Sequence, residues 1–194
     1  MLQYIMSIPL TDHIRRYVSL TADDEALLEA ALRRVSLDKR AHLFQTGEPG
    51  RFLVFVESGL TRLYSVDAAA KERTFQFALE GWWTAEWEAF ERDRPAMLSL
   101  QAVEAARVAV LPQDRYETLL AEVPVLEKYF RRVYQRAFGA AQRRLFVHET
   151  SDGETVYREF QRQYPDFVQR VPQYMLASFL GFTPEFLSKI RARI

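Results

Sequence analysis

Hydrophobic and polar positions follow two different periods along the first two thirds of the chain. Residues 21–35 place their apolar side chains at helical spacing, after a Thr21 that can cap the helix. Residues 36–112 instead contain short runs rich in β-branched, aromatic and leucine side chains, separated by turn residues. Closely spaced short strands of this kind predict a β domain of sandwich or barrel type.

A long helical pattern occupies residues 123–149, with apolar side chains at Leu126, Phe130, Val133 and Ala137. A helix of this length would extend about 40 Å. Its apolar surface is broad, which fits either a core helix lying on the β domain or a helix that packs against its copy in a dimer. We favour self-association. A further helix is predicted after Ser151, which can form a capping box with Glu154.

The segment from Pro172 to Ile194 has the layout of a helix-turn-helix. Gly181 stands where the turn requires a positive φ. Thr183 is a suitable N-cap for the second helix, and Pro184 is a favourable first helical residue. The predicted inward side chains are Leu176, Ala177, Leu180, Phe182, Leu187 and Ile190.

The outward face of the second helix carries the candidate chemistry. Glu185 can accept a hydrogen bond from a cytosine amino group, and Lys189 can reach the acceptors of guanine in the major groove. Phosphates are the expected partners of Thr183, Arg191 and Arg193. The complete set of predicted DNA-binding residues is Thr183, Glu185, Ser188, Lys189, Arg191 and Arg193. A two-helix hairpin without a DNA partner could imitate part of this pattern.

Composition removes several classes of function. The chain has 194 residues and no cysteine, so disulfides, Cys-ligated zinc, iron–sulfur clusters and thiol nucleophiles are excluded. His13, His42 and His148 are scattered without metal-ligand spacing, and no catalytic or nucleotide-binding motif occurs. We therefore expect neither an enzyme nor a bound cofactor or metal.

Charge and hydropathy give two further expectations. Residues 1–125 carry 14 Lys/Arg against 19 Asp/Glu, whereas residues 126–194 carry 12 against 7. A basic C-terminal third behind an acidic front suggests two parts with different partners. No apolar run reaches membrane-spanning length, and the N-terminus lacks a signal-peptide layout. These features predict a cytoplasmic protein that does not contact a membrane.

The order of these elements resembles the Crp/Fnr family of bacterial transcription regulators. The segment ASFLGFTPEFLSKIR carries the strongest likeness and looks like a subgroup common in Bacteroidetes. The turn at 47–50 and the following FLVFVESGLTRLY are similar to the early strands of the family's sensor domain. The resemblance implies an α+β fold made of an antiparallel β-roll like that of cyclic-nucleotide-binding domains, a dimerisation helix and a DNA-binding domain. The expected domains span residues 1–122, 123–149 and 150–194.

The resemblance also implies partners. These are a second copy of the chain in a homodimer, double-stranded DNA with a palindromic site, RNA polymerase, and a small-molecule effector of unknown identity. Many family members also have a wing beside the helix-turn-helix. Here the wing is either reduced to residues 166–171 or absent.

The family's cyclic-nucleotide site is incomplete in this chain. Family members that bind cyclic nucleotides use a Gly-Glu pair for the ribose and an Arg-Ser or Arg-Ala pair for the phosphate. The resemblance places Ala85 and Glu86 at the first pair and Ala96 and Met97 at the second. Arg94 lies two residues away, so a cyclic phosphate would lack its cation, and we expect that the effector is not cyclic AMP.

A group of aromatic residues lies close to the same positions in the sequence. Trp82, Trp83, Trp87 and Phe90 either fill the core of the β-roll or line an apolar effector pocket. The candidate effector-binding residues are Trp83, Glu86 and Arg94. The favoured function is a sequence-specific DNA-binding transcription regulator. The alternatives are a ligand-binding or protein-interaction module that no longer reads DNA and a cupin-like enzyme, whose metal triad the three histidines do not offer.

Overall fold

The computed structural model describes residues 7–92 and 94–193. The predicted domain limits at residues 1 and 194 therefore lie outside the described residues. The helices are α1 (Leu10–Arg15), α2 (Ala22–Ala31), α3 (Trp87–Glu91), α4 (Gln113–Glu122), α5 (Val125–Thr150), α6 (Gly153–Gln163), α7 (Pro165–Arg170), α8 (Gln173–Phe179) and α9 (Pro184–Arg191). The strands are β1 (Arg33–Leu37), β2 (His42–Phe44), β3 (Phe52–Ser58), β4 (Thr61–Val66), β5 (Glu72–Ala78), β6 (Trp83–Thr84), β7 (Ser99–Ala102) and β8 (Ala106–Pro112).

Within the described residues, the strands form two four-stranded sheets, ordered β1-β8-β3-β6 and β2-β7-β4-β5. The pairs β1–β8, β3–β8 and β4–β7 are antiparallel. Side chains from both sheets meet in one apolar core that includes Val54, Leu63, Leu100 and Val108. This arrangement confirms the predicted α+β fold with an antiparallel β-roll.

The described residues divide into two compact units. One comprises Met1–Ser65 and Gln76–Arg132, and the other comprises Val66–Phe75 and Val133–Ile194. The first unit contains most of the β-roll. The second contains the C-terminal helices together with the tip of the β4–β5 hairpin.

In the first unit, an aromatic cluster joins the sheet that contains β3 to the start of α5. Trp83 packs against Phe55 and Phe130 with ring centroids 5.3 and 5.4 Å apart. The Trp83 indole N–H donates to the hydroxyl of Tyr129, at 2.7 Å, and Nδ1 of His13 lies 2.8 Å from the same hydroxyl. The first two turns of α5 are thus anchored on the β-roll through Tyr129 and Phe130, both buried.

Helix α5 confirms the predicted long helix, since its 26 residues extend about 39 Å. Its buried residues are confined to the first two turns. Further along, Phe138, Leu145 and Phe146 each expose more than three fifths of their surface. Within the single chain, these large apolar side chains have little cover.

One predicted helix cap is confirmed, and two other expectations from the sequence are corrected. Thr21 forms the N-terminal cap of α2, accepting from the Asp24 N–H at 3.1 Å. The predicted cap at Ser151 is wrong by one residue, because Asp152 accepts from the Thr155 N–H at 2.8 Å. Residues 166–171 do not form a reduced wing of strands, because they lie in α7 and at its C-terminal end.

Candidate nucleic-acid interface

Helices α8 and α9 form the predicted helix-turn-helix. Gly181 adopts a φ of +75°, the left-handed conformation that an L side chain disfavours. The Phe182 N–H donates to the carbonyl of Ala177 at 2.8 Å, which closes the turn. Ala177 is fully buried, as expected for a small residue where the two helices approach closely.

The N-terminus of α9 is fixed by its cap. The Thr183 hydroxyl accepts from the Phe186 N–H at 3.2 Å, and Pro184 occupies the first turn. Leu187 and Ile190 are buried beneath the helix. The opposite face of the helix is therefore held outward by packing on its inner face.

Every predicted DNA-binding residue lies on this outward surface. The exposed set is Thr183, Glu185, Ser188, Lys189, Arg191 and Arg193. Within the last turn of α9, Lys189 and Arg191 supply positive charge. A capped helix with an exposed polar and cationic face has the shape and chemistry that enter a major groove.

Glu185 is held in its charged, acceptor-only form. Its own backbone N–H lowers the pKa of the carboxylate most, followed by the Thr183 hydroxyl, and the positive charge of Lys71 lowers it further. An ionised carboxylate accepts hydrogen bonds and cannot donate them. Glu185 is therefore suited to a donor such as the amino group of cytosine.

Two aromatic residues of the helix-turn-helix are exposed although the sequence did not predict it, one on α9 and one on α8. Phe186 is 45% exposed, and its ring packs edge-on against Phe182, with centroids 5.2 Å apart. Phe182, predicted to be inward, is only partly buried because it packs against this exposed ring. Tyr174 is 50% exposed in the first turn of α8. Phe186 directly follows the predicted outward residue Glu185, and this position was the available signal for its exposure.

The tip of the β4–β5 hairpin packs against the helix-turn-helix, and the sequence analysis did not predict this contact. The Ser178 hydroxyl in α8 donates to the carbonyl of Glu72 at 3.1 Å and accepts from the Thr74 N–H at 3.0 Å. Arg144 of α5 donates to the carbonyl of Phe75 at 2.9 Å and lies 4.6 Å from the ring centroid of Phe179. The hairpin tip is therefore part of the unit that contains α8 and α9.

The candidate effector residues have separate partners. Trp83 belongs to the aromatic cluster, whereas Arg94 is exposed. The buried Glu86 carboxylate caps α3, accepting from the Ala89 N–H at 3.0 Å. Among the described residues, no hydrogen bond or ion pair joins Trp83, Glu86 and Arg94.

The position expected to hold a cyclic phosphate is filled by small apolar groups. Ala96 is buried, and a methyl group added at Gly50 would lie 3.1 Å from its Cβ and 3.3 Å from the Cβ of Ala89. Met97, the other residue of the expected pair, is 60% exposed. The backbone at Ala96 is tied to the turn at 47–50 through its bonds to Gly47 and Glu48.

Burial differs among the four aromatic residues that were expected either to fill the core of the β-roll or to line an effector pocket. Phe90 is buried and Trp83 partly so, whereas Trp82 and Trp87 expose 39% and 44% of their surface. Core packing therefore accounts for Trp83 and Phe90 but not for the other two tryptophans.

Within residues 7–92 and 94–193, no group of three or more His, Asp or Glu side chains could hold a metal ion. No helix in these ranges combines the length and the apolar character needed to cross a membrane.

Comparison with known proteins places these features in context. Residues 34–123 match the family described as Cyclic nucleotide-binding domain. No curated protein matches the chain.

Solved structures share the fold at low sequence identity. CooA from Carboxydothermus hydrogenoformans, in a mutant form, has a TM-score of 0.69 at 17% identity, covering 87% of this chain and 78% of that one. The c-di-GMP responsive global regulator CLP from Xanthomonas campestris has a TM-score of 0.63 at 16% identity, covering 89% and 91%. A Eubacterium rectale protein described as a transcriptional regulator of the Crp/Fnr family has a TM-score of 0.67 at 13% identity, covering 90% and 83%. Residues 34–123 thus match the cyclic nucleotide-binding domain, in a chain that shares the fold of these solved regulators.

Proposed function

We propose that this protein is a homodimeric, sequence-specific DNA-binding transcription regulator. The observation that carries the proposal is the exposure of six polar or charged side chains on the outward face of α9 and at its two ends, while Leu187 and Ile190 anchor the opposite face. The similar structures support it, since they include a global regulator and a transcriptional regulator by description. Cytoplasmic location and contact with RNA polymerase follow as expectations from this function. The Bacteroidetes subgroup remains a prediction.

In this proposal, α9 reads bases from the major groove. Glu185 accepts from a cytosine amino group, Lys189 donates to guanine, and Ser188 between them faces the groove. Thr183, Arg191 and Arg193 bind phosphates, which provide affinity and sensitivity to salt.

Dimerisation is supported by the exposed apolar residues of α5. Phe138 and Leu145 are seven positions apart on one side of the helix, and Phe146 adjoins them. Contiguous apolar surface of this kind marks an interface more often than a solvated helix face. Native mass spectrometry of the purified protein should show a dimer and any retained small molecule.

A gel shift at low salt separates the proposal from its main alternative. A regulator should bind even random DNA under these conditions, because phosphate contacts dominate non-specific affinity. The alternative is a ligand-binding or protein-interaction module that no longer reads DNA. The helix at Pro165–Arg170 favours it, because a reduced wing at 166–171 was one of the two expectations. The alternative predicts no shift at any protein concentration.

Two substitutions in α9 test the assignment of roles. Lys189→Ala should relax base preference and weaken the selected site by roughly 1–3 kcal/mol, whereas Arg191→Ala should weaken all sequences about equally. Both side chains are exposed, so folding should be unaffected. Equal effects of both variants on every sequence would show that Lys189 does not read a base.

We also propose that the effector of this domain is not cyclic AMP. The buried Ala96 leaves a cyclic phosphate without a cation, and Glu86 is already engaged by backbone donors. Equilibrium dialysis with cyclic AMP should show no binding. Retention of cyclic AMP at micromolar concentration would contradict this part of the proposal.

Apolar or aromatic ligands are the alternative class of effector. Trp82 and Trp87 are exposed, so a ligand that contacts either ring should change tryptophan fluorescence. A panel of such ligands that leaves the fluorescence unchanged would remove this class.

A further inference from the structure

The tip of the β4–β5 hairpin is a closed, preorganised turn. The Asp67 carboxylate accepts from the Ala69 and Lys71 N–H groups at 2.9 and 3.0 Å and from Nε of Arg73 at 3.1 Å. The Asp67 N–H in turn donates to the carbonyl of Lys71 at 2.9 Å. Lys71 therefore projects from a turn whose backbone is already fixed.

The turn is attached directly to the helix-turn-helix. Among the described strands, β5 lies at the edge of its sheet, so its outer backbone groups have no neighbouring strand to bond. The Ser178 hydroxyl bonds two of these groups, the carbonyl of Glu72 and the N–H of Thr74. Lys71 immediately precedes this anchored pair. The charge of Lys71 reaches Glu185 at the start of α9, where it favours the ionised carboxylate.

The hairpin flanks the DNA-reading face and leaves it open. Glu185, Ser188 and Lys189 are all exposed, and Lys71 is exposed as well. Lys71 is therefore accessible to a phosphate of a duplex whose bases contact Glu185. The wing that could supply such a contact is absent from residues 166–171, which are helical or end α7.

We propose that Lys71 binds a phosphate that flanks the site read by α9, so that the hairpin tip takes the place of a wing. This inference rests on the proposed DNA-binding function. The contact is electrostatic and independent of sequence, and Ser178 holds it in register with the recognition helix.

The salt dependence of binding to one fixed operator tests the proposal. Lys71→Gln removes one phosphate contact from each protomer of the dimer, so the slope of log K against log salt should become shallower by about 1.8. Between 50 and 200 mM salt, the wild type should therefore lose roughly 12-fold more affinity than Lys71→Gln. Base preference should stay unchanged. Lys39→Gln is the matched control, since Lys39 is exposed in the other unit, and it should behave as the wild type.

A second variant tests the anchoring. Ser178→Ala leaves Lys71 in place but frees the turn, so it should also flatten the slope, and Lys71→Gln/Ser178→Ala should add little to either single change. Circular dichroism checks that each variant is folded. An unchanged slope in Lys71→Gln, or tighter binding by that variant, would overturn the inference while leaving DNA binding intact. A wild type that fails to bind DNA at low salt would overturn both.

Discussion

Removal of the Tyr129 hydroxyl should destabilise the first unit by a predictable amount. Tyr129 is fully buried, and its oxygen accepts from the indole N–H of Trp83 at 2.7 Å. Nδ1 of His13 lies 2.8 Å from the same hydroxyl, so the one hydroxyl hydrogen-bonds to both side chains. Burial raises the pKa of Tyr129, so the phenol keeps its proton.

Tyr129→Phe keeps the ring and its packing but removes the hydroxyl that hydrogen-bonds to Trp83 and His13. A buried polar group that loses its partner costs about 1–3 kcal/mol. Trp83 is partly exposed, so water recovers part of its loss, and the total should be about 2 kcal/mol. For a chain of this length, that lowers Tm by about 4–8 °C.

Urea denaturation followed by circular dichroism and by tryptophan fluorescence measures this effect. Tyr174→Phe is the matched control because Tyr174 is half exposed, and it should change the free energy of unfolding by less than about 0.5 kcal/mol. Equal stability of Tyr129→Phe and the wild type would refute the reasoning. So would an equal loss in both variants.

Three further predictions concern a turn, a helix cap and the dimer. Gly59→Ala should destabilise the fold severely, because φ is +88° and the new Cβ would overlap a backbone carbonyl. Gly47→Ala has a similar φ of +91° but open space around it, so it should cost only about 1–2 kcal/mol. The melting temperature should therefore fall much further in Gly59→Ala than in Gly47→Ala. Hydrogen bonds from the Thr155 backbone and side chain lower the pKa of Asp152 below its ordinary value of 3.8. The charged carboxylate therefore stabilises the fold at neutral pH, and this contribution is lost as the pH falls through the lowered pKa. The stability gap between wild type and Asp152→Asn should therefore be narrower in urea titrations at pH 3 than at pH 7, and an unchanged gap would contradict it. Leu145→Glu should yield a folded monomer in sedimentation, since Leu145 is exposed in the single chain, and a persistent dimer would place the interface elsewhere.

Local signals in the sequence were sufficient to predict the helix-turn-helix. Thr183, Pro184 and Gly181 each specify their own backbone conformation, and the spacing of Leu187 and Ile190 determines which face of α9 is outward. The length of α5 followed in the same way from an uninterrupted apolar pattern. These features depend on neighbours within a few residues, which the sequence shows directly.

Contacts between distant segments could not be predicted. Ser178 meets the backbone of Glu72, 106 residues earlier, and no property of either residue type marks the pair. Likewise, Trp82 and Trp87 are as apolar as Trp83, but only the register of β6 with β3 turns Trp83 toward Phe55. Ser151 and Asp152 are both good caps, and the choice between them depends on where α5 ends.

Selection of bound sequences from a random pool of double-stranded DNA tests the central claim most directly. Two recognition helices related by a two-fold axis should recover an inverted repeat with half-sites about 34 Å, or one helical turn, apart. Lys189→Ala selected in parallel should recover a repeat with one degenerate position in each half. A pool that yields no inverted repeat with the wild-type protein would contradict the claim that α9 reads DNA as part of a symmetric pair.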